Sequence, residues 1–433
     1  MSQRTLPTSS PASRDTFGNI LDPTVGYAQG KILRSSDEET LKTARAEELI
    51  RNRVDRLGPD SIYVFTGMEC RLGLETADLA TLAQEAFGPA LFGEELRARA
   101  LEHMGGGERD EVAVLNRTSG AIVSACLALC RPGDTIVSLV PGAISHPSVK
   151  RGAQLAGAEL IETTELDVVR DRLKDGGVSL VMITGVTSEQ LVISESDLRD
   201  VIELVRAAGC VSMVDDAYGA RVRTVLFDQP PARAMGADLA VTSVQKAGLN
   251  GPRAGLLVGK PPLVQKVLSA ATRYGMEARG PLTLGVLRSL ERYRPENLLA
   301  DVGAGAALHS AMTEEFGEDR VVRTALGPVI SQDDALSIAL ERSTGDAPPV
   351  IPVVPAEATA ALGMLLLEHH GILTVNAAGA PGARVSLRLK ATANTMERAG
   401  GAIRVVAAVK DGFNRLARVI GDADAIRGLV LPG

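Results

Sequence analysis

The chain has no tryptophan, only 3% aromatic residues and no excess of basic residues. Its 46 Lys and Arg stand against 53 Asp and Glu, which gives a formal net charge of −7. A general nucleic-acid-binding surface usually shows a basic stripe, so this balance argues against that class of protein. It leaves a local basic patch open.

Cysteine is also scarce, and none of the four cysteines forms a CxxC pair. Cys126 and Cys130 are four residues apart on a predicted helix, a spacing typical of buried packing residues in a reducing compartment. No apolar run approaches the length of a membrane span, and the polar segment Met1–Asp15 lacks the apolar core of a signal peptide. We therefore expect no disulfide, no metal site, no membrane association and a cytoplasmic location.

What is present is a regular alternation of short apolar runs with helix-length segments. It predicts an α/β protein with a mostly parallel sheet covered by helices on both faces. The predicted strands are Val112–Leu115, Thr135–Val140, Glu159–Glu162, Ser179–Thr184, Val211–Asp215, Leu239–Ser243 and Gly255–Val258.

The 433 residues are too many for one compact core, which favours two domains. Pro295, after a predicted helix, indicates a boundary. We predict a tail over residues 1–35, N-terminal helices and a large domain over 36–300, and a smaller C-terminal α/β domain over 301–433.

The most informative feature is an acid at the end of one buried strand and a lysine after the next, Asp215 and Lys246. Pyridoxal phosphate (PLP) needs this pair, because a carboxylate keeps its ring nitrogen protonated while a lysine amine holds its aldehyde as a Schiff base. Neighbouring side chains on a strand point in opposite directions, so one of Asp215 and Asp216 faces the site. Asp215 is preferred, because it forms an Asp-x-Ala-Tyr arrangement with Ala217 and Tyr218. Tyr218 is a candidate for the cofactor's phenolic oxygen or, alternatively, a packing residue.

A phosphate site is predicted where Thr118, Ser119 and Gly120 follow the first strand and open a helix. Hydroxyls and backbone N–H groups at a helix N-terminus form an anion cradle, although a plain helix cap is the alternative. Ser243 is a candidate for a second phosphate contact. Arg253 is a candidate for the phosphate or a neighbouring subunit, and a surface arginine is the alternative.

The remaining candidates lie on a loop or on a predicted strand. His146 either stacks on the pyridine ring or caps the next helix, and Ser188 is a candidate for the cofactor's ring oxygen. Arg384 and Arg388 are four residues apart on a strand predicted over 383–389, so they share a face. A guanidinium there could bind the α-carboxylate of a substrate, and a solvated strand edge is the alternative.

These motifs resemble those of fold type I PLP-dependent enzymes, within the group related to selenocysteine synthase (L-seryl-tRNA(Sec) selenium transferase) and nearer to its archaeal-type relatives. The resemblance covers about residues 60–295. It is carried by the segments Glu102-His103-Met104-Gly105-Gly106, Asn116-Arg117-Thr118-Ser119-Gly120, Val214-Asp215-Asp216-Ala217-Tyr218-Gly219-Ala220-Arg221, Gly236 to Gly255 and Pro281-Leu282-Thr283-Leu284.

The resemblance implies roles for individual residues. Lys246 would form the Schiff base, Asp215 would contact the ring nitrogen and His146 would stack on the ring. Thr118, Ser119 and Ser243 would lie near the phosphate. The resemblance also implies a homodimer or a ring of dimers.

The chain departs from that group in two places. Tyr218 stands where the relatives carry a small residue, and the N-terminal region lacks a separate basic tRNA-binding domain. The sequence therefore predicts an enzyme that acts on a free amino acid or a small derivative, with nucleic acid set aside as a partner.

The predicted chemistry begins when a substrate amine displaces Lys246 to give an external aldimine. Lys246 then removes the α-proton, and β- or γ-elimination or replacement follows. An aminotransferase, an aldolase-type lyase, a tRNA-dependent selenium transferase and a non-catalytic PLP-fold binding protein are the alternatives.

Overall fold

The computed structural model describes residues 13–23, 25–82, 84–142, 144–343, 351–383 and 385–433. These residues form two compact units. The described part of Gly67–Gly303 is one unit, and the described parts of Met1–Thr66 and Ala304–Gly433 are the other. Within the described ranges, no helix is both long enough and apolar enough to cross a membrane.

The helices and strands of the described residues are numbered here in chain order. The helices are α1 Ser36–Leu57, α2 Thr76–Leu82, α3 Gly88–Met104, α4 Thr118–Leu129, α5 Pro147–Ala156, α6 Leu166–Asp175, α7 Glu195–Ala207, α8 Gly219–Arg221, α9 Pro261–Arg273, α10 Gly280–Arg292, α11 Pro295–Phe316, α12 Gln332–Glu341, α13 Pro355–His370, α14 Val375–Ala378, α15 Ala393–Arg398, α16 Gly401–Val419 and α17 Ala423–Val430. The strands are β1 Tyr63–Val64, β2 Glu111–Leu115, β3 Thr135–Leu139, β4 Glu159–Thr163, β5 Val178–Thr184, β6 Val211–Asp215, β7 Leu239–Ser243, β8 Gly255–Gly259, β9 Val322–Thr324, β10 Gly327–Ile330, β11 Ile372–Leu373 and β12 Leu387–Arg388.

The larger unit is built on a seven-stranded sheet in the order β2-β8-β7-β6-β5-β3-β4. Strand β8 is antiparallel to both its neighbours, and the other neighbouring strands pair in parallel. The predicted α/β class is confirmed, and all seven predicted strands are present with ends within one residue of the prediction. The parallel strands β3, β5, β6 and β7 end at one edge, which is where such sheets bind ligands.

Two apolar layers cover the sheet, which explains why its strands read as continuous apolar runs. One layer joins α4, α5 and α9 to one face through residues such as Ile122, Val149 and Val267. The other joins α3, α7 and α10 to the opposite face through residues such as Leu96 and Leu198. Because both faces are buried, alternation of polar and apolar residues is lost along β5 and β7.

Helix α1 differs from the prediction, which placed it in the large domain. In the structure it belongs to the unit that contains α13. Its buried residues Ala46 and Leu49 pack against Met364 of α13, and Lys42 Nζ donates a hydrogen bond of 3.2 Å to the Asn376 carbonyl. These contacts join segments more than 300 residues apart, so local pattern could not assign them.

The predicted boundary between residues 300 and 301, indicated by Pro295, lies inside a helix. Pro295 is the first residue of the 22-residue helix α11. A proline is favourable at this position, because its missing N–H would have no helical partner there. The division between the units falls between Gly303 and Ala304, inside α11.

Candidate active site

Asp215 is the last residue of the central strand β6 and is buried, with a relative exposure of 6%. Its Oδ1 accepts a hydrogen bond of 3.2 Å from the Ala217 N–H. Burial raises the pKa of Asp215 to about 6, the charge of Lys246 opposes this rise, and the charge of Asp216 adds to it. A buried carboxyl whose pKa is shifted by burial and by a nearby cation is typical of a functional site.

Asp216 has a different environment, although it is the next residue. Both of its carboxylate oxygens accept hydrogen bonds from the Arg223 guanidinium, and both side chains are fully buried. The carboxylate is therefore occupied by a bidentate ion pair inside the protein. This pairing favours Asp215 as the residue of the two that faces a cofactor.

Lys246 lies on the loop that follows β7, the strand beside β6. Its Nζ is 4.5 Å from the centroid of the Tyr218 ring, a cation–π distance. The structure thus brings together Lys246, Tyr218 and Asp215 at the carboxyl ends of two neighbouring strands. The chain reverses directly after the lysine through two left-handed residues, Ala247 at φ +50° and Gly248 at φ +84°.

The N-terminus of α4 fits a phosphate group. The Ala121 N–H makes the first helical hydrogen bond, to the Arg117 carbonyl, so the N–H groups of Thr118, Ser119 and Gly120 precede the helical ladder. Among the described residues, Thr118 Oγ1 is buried and has no hydrogen-bond partner. A hydroxyl without a partner beside N–H groups at a helix end is the donor set that a phosphate would complete.

A close approach of β8 determines the shape of this cradle. A Cβ on Gly255, the first residue of β8, would lie 2.8 Å from both the backbone N and the Cα of Thr118. Only glycine allows the strand to start here. Arg253 is exposed two residues earlier, and its charge, together with that of Arg151, adds to burial in lowering the pKa of Arg117. Positive charge therefore gathers beside the cradle.

Two predicted contacts have visible roles within the protein. The Ser243 hydroxyl donates a hydrogen bond of 3.0 Å to Gln245 Oε1 and is buried. His146 caps α5, because its Nδ1 accepts a hydrogen bond of 3.2 Å from the Ser148 N–H. The capping alternative for His146 is thus observed, and a phosphate contact of Ser243 and ring stacking by His146 stay predictions.

Ser188 lies on the turn after β5, the other neighbour of β6. The turn is closed by the Leu191 N–H, which donates to Thr187 Oγ1 at 3.0 Å. Within the same turn, Gln190 adopts φ +69° and is buried. Neither its amide oxygen nor its amide nitrogen has a hydrogen-bond partner among the described residues. The left-handed backbone of Gln190 was not predictable from the sequence, because glutamine is not a residue type that favours this conformation.

Arg388, one of the two predicted carboxylate-binding arginines, belongs to the other unit. The strand predicted over 383–389 is wrong in length, because only Leu387–Arg388 form β12 in the described residues. Arg388 is buried, and its Nε donates to Ser386 Oγ at 3.0 Å. Arg384 lies outside the described residues.

Comparison with known proteins identifies the family of this chain. Residues 84–403 match the model of the family described as aminotransferase class I and II. The chain therefore belongs to this family.

Curated relatives narrow the assignment. A UPF0425 pyridoxal phosphate-dependent protein of Methanothermobacter thermautotrophicus is 36% identical over 403 residues, which cover 92% of this chain and 100% of the relative. Another of the same description, from Methanococcus maripaludis, is 33% identical over 358 residues, covering 82% of this chain and 92% of the relative. The chain is thus a member of the UPF0425 group, and its cofactor is PLP.

Solved structures show the same fold at low identity. L-threonine transaldolase from Pseudomonas fluorescens has a TM-score of 0.57 at 15% identity, covering 89% of this chain and 93% of that one. A chain of a SepCysS–SepCysE N-terminal domain complex has a TM-score of 0.57 at 13% identity, covering 84% and 98%. Ureidoglycine–glyoxylate aminotransferase from Bacillus subtilis has a TM-score of 0.55 at 14% identity, covering 85% and 96%. The predicted fold type I class is confirmed.

Proposed function

We propose that this protein is a PLP-dependent enzyme that acts on a free amino acid or a small amino-acid derivative by β- or γ-elimination or replacement. The observation that supports the proposal most is the meeting of Lys246 and buried Asp215 at the ends of neighbouring strands. The Thr118 hydroxyl, which has no partner among the described residues, independently supports a phosphate site at the N-terminus of α4 in the same unit.

Each of these groups has a distinct task in the proposal. Thr118, Ser119 and Gly120 would hold the phosphate, and Asp215 would hold a proton between its carboxylate and the ring nitrogen. When bound, PLP supplies an aldehyde carbon that bonds to amines and a ring that withdraws electrons. The Lys246 amine would anchor the cofactor and, once released by a substrate amine, take the proton from the substrate α-carbon.

Tyr218 would serve Lys246 when the lysine is released. A protonated amine is attracted to the face of an aromatic ring, and Nζ already lies 4.5 Å from the centre of this one. The Tyr218 ring would thus hold the protonated Lys246 amine in a position from which the amine can return its proton. In this role Tyr218 acts on the lysine and need not touch the cofactor's phenolic oxygen.

Transamination is the second candidate, supported by the family that residues 84–403 match. A product analysis separates the two reactions. Protein loaded with PLP is incubated with amino acids that carry a β- or γ-leaving group, alone, with a thiol, or with a 2-oxo acid. Elimination releases ammonia and a 2-oxo acid without any acceptor, and replacement forms a new amino acid with the thiol. Turnover that requires the added 2-oxo acid would overturn our proposal in favour of transamination.

The third candidate function is tRNA-dependent selenium transfer, in which the protein would bind a nucleic acid. The net charge of −7 is unfavourable for it, because binding to a phosphate backbone depends on basic side chains. Retention of labelled tRNA on a filter at moderate salt, lost as salt is raised, would support this candidate. We propose that no such retention occurs.

We also propose that the protein works as a homodimer or larger homo-oligomer, which sedimentation can test.

A further inference from the structure

Arg221 is the last residue of the short helix α8 and is entirely buried, with a relative exposure of 0%. All five of its N–H groups can be used at once, because the guanidinium lies within hydrogen-bonding distance of six acceptors. These are the carbonyl oxygens of Ala217 at 3.1 Å, Ser243 at 2.7 Å, Lys246 at 3.2 Å and Ala247 at 3.1 Å, Thr242 Oγ1 at 3.0 Å and His103 Nε2 at 3.2 Å.

Every one of these acceptors is neutral. The carboxylate of Asp216 is engaged by Arg223, and Arg221 forms no ion pair with a described residue. Burial lowers the pKa of Arg221 to about 10, so the side chain is still cationic at neutral pH. The charge of Asp216 acts on Arg221 without a direct ion pair. Burying such a cation is costly, and a full set of well-placed hydrogen bonds offsets that cost. Such an arrangement defines the positions of the acceptors closely.

Four of the six acceptors belong to the segment 242–247, which carries the lysine. The Arg221 Nε–H is shared between the carbonyls of Lys246 and Ala247, the two that flank the left-handed Ala247. A residue other than glycine is disfavoured in this conformation, so the loop needs outside contacts to keep it. Arg221 supplies these contacts from one side.

The other side of the loop is closed by packing. A Cβ on Gly248 would lie 3.1 Å from Leu298 Cβ and 3.3 Å from Tyr293 Cε2. Tyr293 also meets the His103 ring edge-on, with 4.9 Å between the ring centroids. Burial and the charge of Arg221 lower the pKa of His103 to about 3, so the ring is neutral and its Nε2 accepts a hydrogen bond from an Arg221 N–H.

We propose that Arg221, supported by His103, is a positioning residue. It holds residues 243–248, the lysine loop, so that the Lys246 amine lies against Tyr218 and beside Asp215. The inference rests on the proposed role of Lys246 but concerns the protein without cofactor as well. Arg221 touches no reacting atom in this proposal. It acts through the backbone on either side of the lysine.

The test compares Arg221→Lys with Arg233→Lys. Lysine keeps the charge at both positions but loses the planar set of donors. Arg233 is the control, because it lies in the same unit with a side-chain exposure of only 9% and donates two hydrogen bonds to Asp110, at 3.1 and 2.6 Å, away from the lysine loop. Both variants should lose stability, and only Arg221→Lys should change the lysine.

Two measurements report on Lys246 without turnover. In the cofactor-free protein, the rate at which an amine-acylating reagent labels Lys246 is followed against pH by peptide mass analysis. In the second measurement, PLP is added to cofactor-free protein, and the rate of its attachment is followed by the visible band and by trapping with borohydride. We expect Arg221→Lys to slow attachment by about tenfold, the effect of losing one hydrogen bond from a charged donor, and to move the labelling profile. Arg233→Lys should leave both unchanged.

The variant Ala247→Gly supplies the second arm. Glycine adopts the left-handed conformation without penalty, so Ala247→Gly in the Arg221→Lys background should restore part of the attachment rate. Wild-type attachment and labelling in Arg221→Lys would overturn the proposal, as would equal losses in Arg233→Lys. If wild-type protein takes up no cofactor on Lys246, the proposed function fails instead, and the labelling profile of the cofactor-free protein still decides the role of Arg221.

Discussion

Asp215 with Lys246 and Asp216 with Arg223 are two carboxylate–cation pairs built from adjacent acids. The Asp216 pair is closed, since both oxygens are bonded to the guanidinium and neither side chain is exposed. The Asp215 pair is open, because the lysine is partly exposed and interacts with Asp215 through its charge. Saturated hydrogen bonding holds a structure in place, whereas a carboxyl with spare acceptor capacity beside a reachable amine can serve chemistry.

Removing the amine of the open pair should have the largest effect. We expect Lys246→Ala to abolish covalent attachment of the cofactor and to lower turnover by about 10⁴-fold or more, because the amine that forms the covalent bond is lost. Borohydride trapping and a rate assay measure the two losses. Lys260→Ala is the control, since Lys260 pairs with Asp238 at the other end of the strands, and it should keep both properties. Full activity in Lys246→Ala would refute the central assignment.

Breaking the closed pair should damage stability rather than chemistry. Asp216→Asn leaves the Arg223 cation buried without its counter-ion, so we expect the free energy of unfolding to fall by about 3–5 kcal/mol. Asp215→Asn removes a carboxyl that burial disfavours, and it should keep or gain stability while losing most of its turnover. Urea unfolding and a rate assay on both variants provide the data. The opposite pattern would exchange the roles of the two aspartates.

A pH titration sharpens the same comparison. The pKa of Asp215 in the folded protein is about 6, above the ordinary 3.8, so between these values the folded state binds a proton that the unfolded state has lost. The unfolded state then binds fewer protons, and stability falls as pH rises through this window. The loss should reach about 3 kcal/mol, since each pKa unit corresponds to about 1.4 kcal/mol.

The titration is measured on cofactor-free protein. Free energies of unfolding are obtained from pH 4 to 7 for the wild type and for Asp215→Asn, and the difference between the two isolates the contribution of this carboxyl. The stability of the wild type should fall relative to the variant as pH rises. A difference that does not change with pH would show that Asp215 keeps an ordinary pKa.

The strands and the pair formed by Asp215 and Lys246 were predictable from the sequence, but the contacts that hold them in position were not. The strands were predictable because buried β-runs are locally apolar, and Lys246 and Asp215 stood out because reactive side chains follow two such runs. Arg221 binds mainly backbone carbonyls, which every residue carries, so its partners leave no trace in the sequence. The attachment of α1 to α13 likewise depends on contacts between distant segments.

The smallest predicted effect concerns Gln190, which lies in the turn after β5. Its backbone is left-handed, and its buried side-chain amide has no hydrogen-bond partner among the described residues. Gln190→Gly removes both costs, whereas Gln190→Ala removes the amide but keeps a Cβ in the left-handed region. We expect the glycine variant to be more stable than the alanine variant by about 1 kcal/mol in urea unfolding, the usual penalty for that conformation. Because the two variants share the loss of the amide, their difference isolates backbone strain. Equal stabilities would mean that the turn relaxes around residue 190 and stores no strain, which would leave the lysine loop as the strained segment of the two.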